Sequence, residues 1–222
     1  MGKNINITLD GPCGSGKTTM AKRVADRLKY LYVDTGAMYR GVAWYLDKEG
    51  IAFDDEETIK SVLKDINLEL KINDGVQQVL VNGVDVSGEI RTPRISLGAS
   101  TASKIKEVRL KMVAMQREIA RNHNSIFDGR DMGSYVIPHA DCKFYLTADI
   151  DERAKRRYLE LRPKQDVNLE EVKADMIARD AQDSSRDFAP LVIPEGAYVI
   201  DTTNLSRDEV ENIIIERIQN RK

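Results

Sequence analysis

Residues 11–19 read Gly-Pro-Cys-Gly-Ser-Gly-Lys-Thr-Thr and contain the spacing GxxxxGKT. Glycines at 11, 14 and 16 permit backbone conformations and close approaches denied to residues with a Cβ, so successive amides can turn toward one point. A lysine at 17 then reaches the β and γ phosphates of a nucleotide, and the Thr18 hydroxyl can face a magnesium ion. Gly11, Pro12, Cys13, Gly14, Ser15, Gly16, Lys17, Thr18 and Thr19 together form a candidate nucleotide-binding loop, against the alternative of a glycine-rich turn that matches by chance. The flanking elements favour the first reading. Ile5, Ile7 and Leu9 alternate with polar residues as in a strand, and residues 18–28 have helix-compatible spacing. A loop between strand and helix aims its amides and the positive end of the helix at the same anion.

A phosphate loop identifies a nucleotide and not a reaction. The other chemistry-bearing residues stand at strand ends. A second strand over residues 30–33 runs into Asp34-Thr35-Gly36-Ala37-Met38-Tyr39-Arg40, and a third over residues 125–127 runs into Asp128-Gly129-Arg130-Asp131. In an open parallel sheet both segments leave the edge where ligands bind. Asp128 is then a candidate for the carboxylate that holds magnesium through water, although any strand can end in Asp as a turn former. Arg179, Asp183 and Arg186 fall at spacings of four and three, on one helical face. Taken alone, that triplet reads first as an exposed, salt-bridged face. Arg153 and Arg157, also four apart and with Arg156 beside them, precede the polar break Arg162-Pro163-Lys164-Gln165. A mobile lid over a triphosphate has that pattern, and so does a solvated helix.

The wider pattern supplies the frame. Strands alternating with helices predict an α/β fold with a parallel sheet covered on both faces. Helices are predicted over residues 37–48, 56–65, 94–103, 106–121, 151–161 and 169–185 and from 206 onward, with further strands over 143–146 and 197–200. One segment departs from this texture. Residues 68–72 alternate, Asn73-Asp74-Gly75 signals a turn, residues 76–81 read as a strand, and Asn82-Gly83 predicts a tight hairpin into residues 84–86. That meander is either an inserted substrate-binding subdomain or a decorative hairpin.

Composition narrows the function classes. The 222 residues suit one α/β domain with a small insertion. With 34 Lys and Arg against 36 Asp and Glu, the net charge of −2 gives no general attraction to nucleic acid or an anionic membrane. No apolar stretch approaches the roughly 20 residues that cross a bilayer and no signal-like segment precedes the first strand, so a cytoplasmic protein is expected. Cys13 and Cys142 are in no metal-ligand or CxxC spacing, and His123 and His139 are isolated. Nothing demands an oligomer, so a monomer is expected.

Five segments taken together carry a resemblance: GPCGSGKTT, DTGAMYR, VDVSGEIR over residues 84–91, DGRDMGSYVIP, and ARDAQDSSRDFAPL. In this order, and over nearly the whole chain, they resemble bacterial cytidylate kinase, a nucleoside monophosphate kinase of the P-loop proteins. The resemblance implies a three-layer α/β/α core with a five-stranded parallel sheet (residues 1–35, 121–150 and 188–222), a monophosphate-binding insert with the antiparallel meander (36–120), and a short lid (151–187). It implies phosphoryl transfer from Mg-ATP to CMP and dCMP, with those nucleotides as the partners. Arg40, Arg130 and Arg186, with Thr35 nearby, then match the ligands of the acceptor's phosphate. Ser100, Arg109 and Asp131 fall where the family reads cytosine, and Arg179 with Asp183 where it holds the ribose. Ser100 and Arg109 would pass as plain helix residues without the resemblance. Lys17, Arg130, Asp128, Arg153 and Arg157 are the expected catalytic group, with Thr18 on the magnesium ion that accompanies ATP. Met132 and Ser134-Tyr135 depart from the family's more usual Ile, Thr and Val after DGRD.

Nearby alternatives are another small-molecule kinase on the same fold and a purely structural ATP-binding module. A regulatory GTP switch would need a guanine-reading NKxD, which the chain lacks.

Overall fold

The computed structural model describes residues 4–73, 76–163 and 166–220. Asp74 and Gly75 of the expected turn, and Lys164 and Gln165 of the expected break, lie outside the described residues. Two compact units are present, Met1–Tyr32 with Ala120–Lys222, and Val33–Ile119.

The first unit is built on a five-stranded parallel sheet in the order β2-β6-β1-β7-β8. Its strands are β1 (Asn6–Asp10), β2 (Leu31–Asp34), which runs on into the second unit, β6 (Ser125–Asp128), β7 (Cys142–Thr147) and β8 (Tyr198–Asp201). Helices α1 (Lys17–Leu28), α6 (Ile150–Leu161), α7 (Leu169–Ser184) and α8 (Arg207–Gln219) complete it. Ile7, Leu9, Val24, Ile126, Phe144, Leu146, Ile214 and Ile218 form the core between sheet and helices. Full burial of each such side chain contributes about 1.5–3 kcal/mol. Strand β1 is buried on both faces, so the polar half of its alternation, Asn6, Thr8 and Asp10, is buried as well. Alternation in this strand distinguishes two covered faces and not inside from outside.

The second unit contains α2 (Thr35–Lys48), α3 (Glu56–Val62), α4 (Pro93–Ala102) and most of α5 (Lys106–Asn122) around an antiparallel sheet of β3 (Leu68–Asn73), β4 (Val76–Val81) and β5 (Val84–Asp85). The meander is therefore present. The helix expected over residues 56–65 ends at Val62 and tightens into a 3₁₀ turn, Leu63–Asp65. Lys111 donates to the carbonyls of Leu63 and Ile66, both at 2.6 Å, which supplies a cation to that helical C-terminus. Met38, Val42, Leu46, Ile59, Ile90 and Met112 are the centre of this unit's apolar cluster.

Helix starts are mostly capped by side chains. Asp34, Asp55, Thr92, Asp149, Asn168 and Ser206 accept from backbone amides of α2, α3, α4, α6, α7 and α8 respectively. Helix α1 differs, because its N-cap is Gly16, which has no side chain to accept.

Candidate active site

Residues 11–16 leave β1 and enter α1 through three glycines with positive φ, at 146° for Gly11, 75° for Gly14 and 86° for Gly16. Gly11 is required twice over, since a Cβ there would also lie 2.0 Å from the carbonyl oxygen of Leu146. The uncapped first turn of α1 leaves amide donors and the helix dipole facing the loop. Ser15 is fully buried and Cys13 partly so. Lys17 is buried and its Nζ donates to the Pro12 carbonyl at 2.9 Å, so it lies back along the loop. Burial, and then the charge of Arg130, lower its pKa to about 8. Arg179 is also shifted downward, first by burial and then by Arg130, and its Nε has no hydrogen-bond partner among the described residues. Lys17, Arg130 and Arg179 thus share a neighbourhood in which Arg130 disfavours the charge of the other two.

At the end of β6, Asp128 is buried, and its Oδ2 accepts from the hydroxyl of Thr18 at 2.5 Å and of Tyr32 at 3.4 Å. Gly129 donates to the Leu9 carbonyl at 3.1 Å, which continues the pairing of β6 with β1. Arg130 follows, and its Nε donates to Asp183 Oδ2 at 3.0 Å, while the other oxygen of Asp183 accepts from Arg186. Burial opposes the charge of Arg130, but Asp183, with Cys13 and Asp128, more than restores it and raises the pKa overall. Asp183, at 1 % exposure, is therefore the bridge that holds two guanidiniums of like charge together. Asp131 is buried, and a single π-helical turn, Met132–Val136, comes directly after it.

Arg153 and Arg157, expected together, occupy different environments. The guanidinium of Arg153 donates to the carbonyls of Ala148 and Cys13 and to Asp180, whose second oxygen accepts from the Cys13 amide at 3.3 Å. One residue of the glycine loop, Cys13, is thereby gripped at both its N–H and its C=O. Arg157 is more exposed and pairs with Glu160 at 3.1 Å.

In the second unit, Thr35 is buried at the start of α2, and Arg40 donates to Asp34 Oδ2 at 3.0 Å. The Nε of Arg40 has no hydrogen-bond partner among the described residues. Arg109 is 2 % exposed, next to Val108 in the apolar cluster, with its guanidinium 5.6 Å from the Tyr39 ring centroid and 3.4 Å from the Ser103 carbonyl. The Ser100 carbonyl accepts from Ser103. A guanidinium placed this deep in apolar packing is unusual. Burial singles out Arg109 where spacing did not.

Two carboxylates escaped the sequence reading. Asp10 and Asp180 hold backbone amides of the loops just described. Asp10 had one usable signal: a strand of a doubly covered sheet buries both its faces, so a carboxylate there must find donors.

Residues 7–220 match the family model described as "Cytidylate kinase". The cytidylate kinase of Caldicellulosiruptor bescii is 45% identical over 215 residues, covering 96% of this chain and 95% of that protein. That of Caldanaerobacter subterraneus subsp. tengcongensis is 46% identical over 216 residues, with 97% and 95% covered. That of Geobacillus sp. (strain WCH70) is 44% identical over 222 residues, with 100% and 99% covered. Among solved structures, an uncharacterized protein from Eubacterium ventriosum superposes with a TM-score of 0.57 at 14% identity, covering 98% of this chain and 100% of that one, which shows a shared fold.

Proposed function

The chain belongs to the cytidylate kinase family, whose reaction is the transfer of a phosphoryl group from ATP to CMP, and from that premise we propose how its residues divide the work. The observation that carries the proposal is the group of buried and part-buried cations, Lys17, Arg130 and Arg179, beside the glycine loop. Lys17 and Arg179 are both shifted toward losing their protons, by burial first and then by Arg130, and a polyphosphate there would favour the charged form of both. The amides of residues 11–16 and the open start of α1 hold the phosphates of ATP, and Lys17 swings from the Pro12 carbonyl to the β and γ phosphates. Arg130 and Arg186, preset by Asp183, bind the phosphate of CMP. Arg179 and Asp183 serve the ribose, and Asp131 reads the cytosine amino group. From the second unit, Thr35 and Arg40 act on the same phosphate, and Ser100 and Arg109 on the base; these roles rest on the family together with the burial of Arg109.

Phosphoryl transfer asks the protein mainly to align two anions and to stabilise charge on the oxygens in flight. The CMP phosphate dianion is itself the nucleophile, so no general base is required. Arginine suits the task because it keeps its charge and grips phosphate through two N–H groups. Arg157 is free to approach the transferring group by releasing only an exposed pair with Glu160. Arg153 steadies the loop through the Cys13 carbonyl. The Thr18 hydroxyl and Asp128 carboxylate, oxygen donors already in contact, fit magnesium held through nucleotide phosphates and water. Magnesium bound with ATP at Thr18 and Asp128 would supply positive charge that offsets part of that on the phosphates. Use of dCMP, a cytoplasmic location and a monomeric state belong to the same proposal. Among the described residues, no helix is long and apolar enough to cross a membrane.

A coupled ADP assay over CMP, dCMP, UMP and unrelated acceptors tests the acceptor. CMP should be preferred and should stimulate ATP turnover; an ATPase rate indifferent to CMP would sink the assignment. Uracil has no amino donor for a carboxylate, so Asp131→Asn should narrow the gap between CMP and UMP. An unchanged preference would remove Asp131 as the reader.

A further inference from the structure

Asp10 ends β1 immediately before the glycine loop and is fully buried. Its two carboxylate oxygens do separate jobs: Oδ1 accepts from the Met132 amide at 2.9 Å and Oδ2 from the Gly133 amide at 2.7 Å. The preceding residue, Leu9, accepts from the Gly129 amide at 3.1 Å. Two consecutive residues of β1 therefore fasten the chain at 129 and again at 132–133. Only Arg130 and Asp131 lie between the fastenings. Gly133 presses the same turn against the strand, since a Cβ there would lie 2.8 Å from Thr8 Oγ1 and 3.0 Å from Pro194 Cγ. After Asp131 the chain closes its π turn, with Tyr135 and Val136 donating to the Asp131 carbonyl at 2.9 and 3.0 Å.

We propose that Asp10 is the positioning residue for acceptor recognition: its carboxylate sets the backbone from which Arg130 and Asp131 reach CMP, and, being joined to Gly11, it keys that backbone to the donor loop. This rests on the assignment of Arg130 and Asp131 to CMP made above. A carboxylate is needed because both oxygens must accept. An asparagine would turn an N–H₂ group toward one of the two amides, and a neutral acid would turn an O–H toward one of them. Burial raises the Asp10 carboxyl, the two amides oppose it, Asp131 raises it and Arg130 lowers it, leaving it at about 7. Tyr145, its register partner on β7, is a further titratable group beside it. A site that must hold side chains to a fraction of an ångström needs this kind of support from behind.

The test compares Asp10→Asn, Asp131→Asn and the double variant by steady-state kinetics with CMP, UMP and ATP. Asp10→Asn should raise KM for CMP about tenfold or more and narrow the CMP to UMP ratio, with KM for ATP within about twofold of the parent. The double variant should discriminate no worse than Asp131→Asn alone. An unchanged KM for CMP, or equal rises in both KM values, would overturn the proposal. If Asp131→Asn itself keeps its base preference, the assignment of Asp131 falls, and KM for CMP in Asp10→Asn still decides whether Asp10 positions Arg130. Should Asp10→Asn fail to fold, Gly133→Ala keeps the carboxylate and lifts the same turn from Thr8 and Pro194. It should show the same split, and a parental KM for CMP in that variant would overturn the proposal.

Discussion

The glycine loop at residues 11–16 and the loop at residues 129–136 both follow parallel strands of one sheet, but they are held in different ways. The first takes its path from its own residues, three positive-φ glycines and a helix start without a side-chain cap, and distant groups, Asp180 and Arg153, brace it at Cys13 through the backbone. The second presents side chains, and its shape is imposed from elsewhere, by Leu9 and Asp10 on a strand more than a hundred residues earlier and by Asp183 on α7. A loop that works through its amides can take its conformation from local glycines, with remote groups bracing the backbone. A loop that works through charged side chains must be anchored against their mutual repulsion, and the anchors are distant in sequence.

Substitutions can break this contrast, beginning where the remote anchoring is strongest. Asp183→Ala leaves Arg130 and Arg186 without their shared carboxylate, and a loss of about 3–5 kcal/mol is expected in chemical denaturation. A change under about 1 kcal/mol would mean that Asp183 is not the bridge. Lys17→Ala should cost about 3 kcal/mol of transition-state stabilisation, visible as a fall of two orders of magnitude or more in kcat, with the fold retained. Gly11→Ala meets both an unfavourable φ and the Leu146 carbonyl, so a loss of about 2–3 kcal/mol in thermal unfolding is expected. Gly16→Ala meets no atom within 4 Å and should lose only the conformational part, about 1–2 kcal/mol. Equal losses would show that the loop's shape does not depend on contact with β7.

A pH series sharpens the same comparison. Lys17 is lowered from 10.5 to about 8, so in the free enzyme its charge is present below pH 8 and is lost as pH rises through that value. Because kcat/KM reports the free enzyme, kcat/KM for ATP should fall above pH 8, whereas kcat, measured with phosphates bound beside Lys17, should fall only at higher pH. The smallest effect is expected at Arg157: replacement by Ala removes one exposed ion pair, so stability should change by less than about 0.5 kcal/mol while kcat declines.

Much of the frame was legible because periodicity and turn chemistry are local. The Asn82-Gly83 hairpin, the long helix ending near residue 122 and the strand before Asp128 all follow from such signals. The 3₁₀ turn after Val62 and the π turn after Asp131 were not legible. The second depends on a carboxylate 122 residues away, and no window around residue 132 contains it. Among the candidate residues, Arg109 illustrates the same limit. On a helix of 17 residues it reads as one more exposed arginine, and only packing shows it buried.

By itself, then, the chain determined the phosphate loop, the alternation of strands and helices that puts it at a sheet edge, and the family to which those segments belong. All of these are written in contiguous residues, where backbone freedom and side-chain period act over a few positions. Tertiary structure alone decided which charges are paired, which guanidinium is buried and which carboxylate holds which amide. Those outcomes depend on desolvation and on hydrogen bonds between strands and helices far apart in sequence, and neither exists until the sheet has formed.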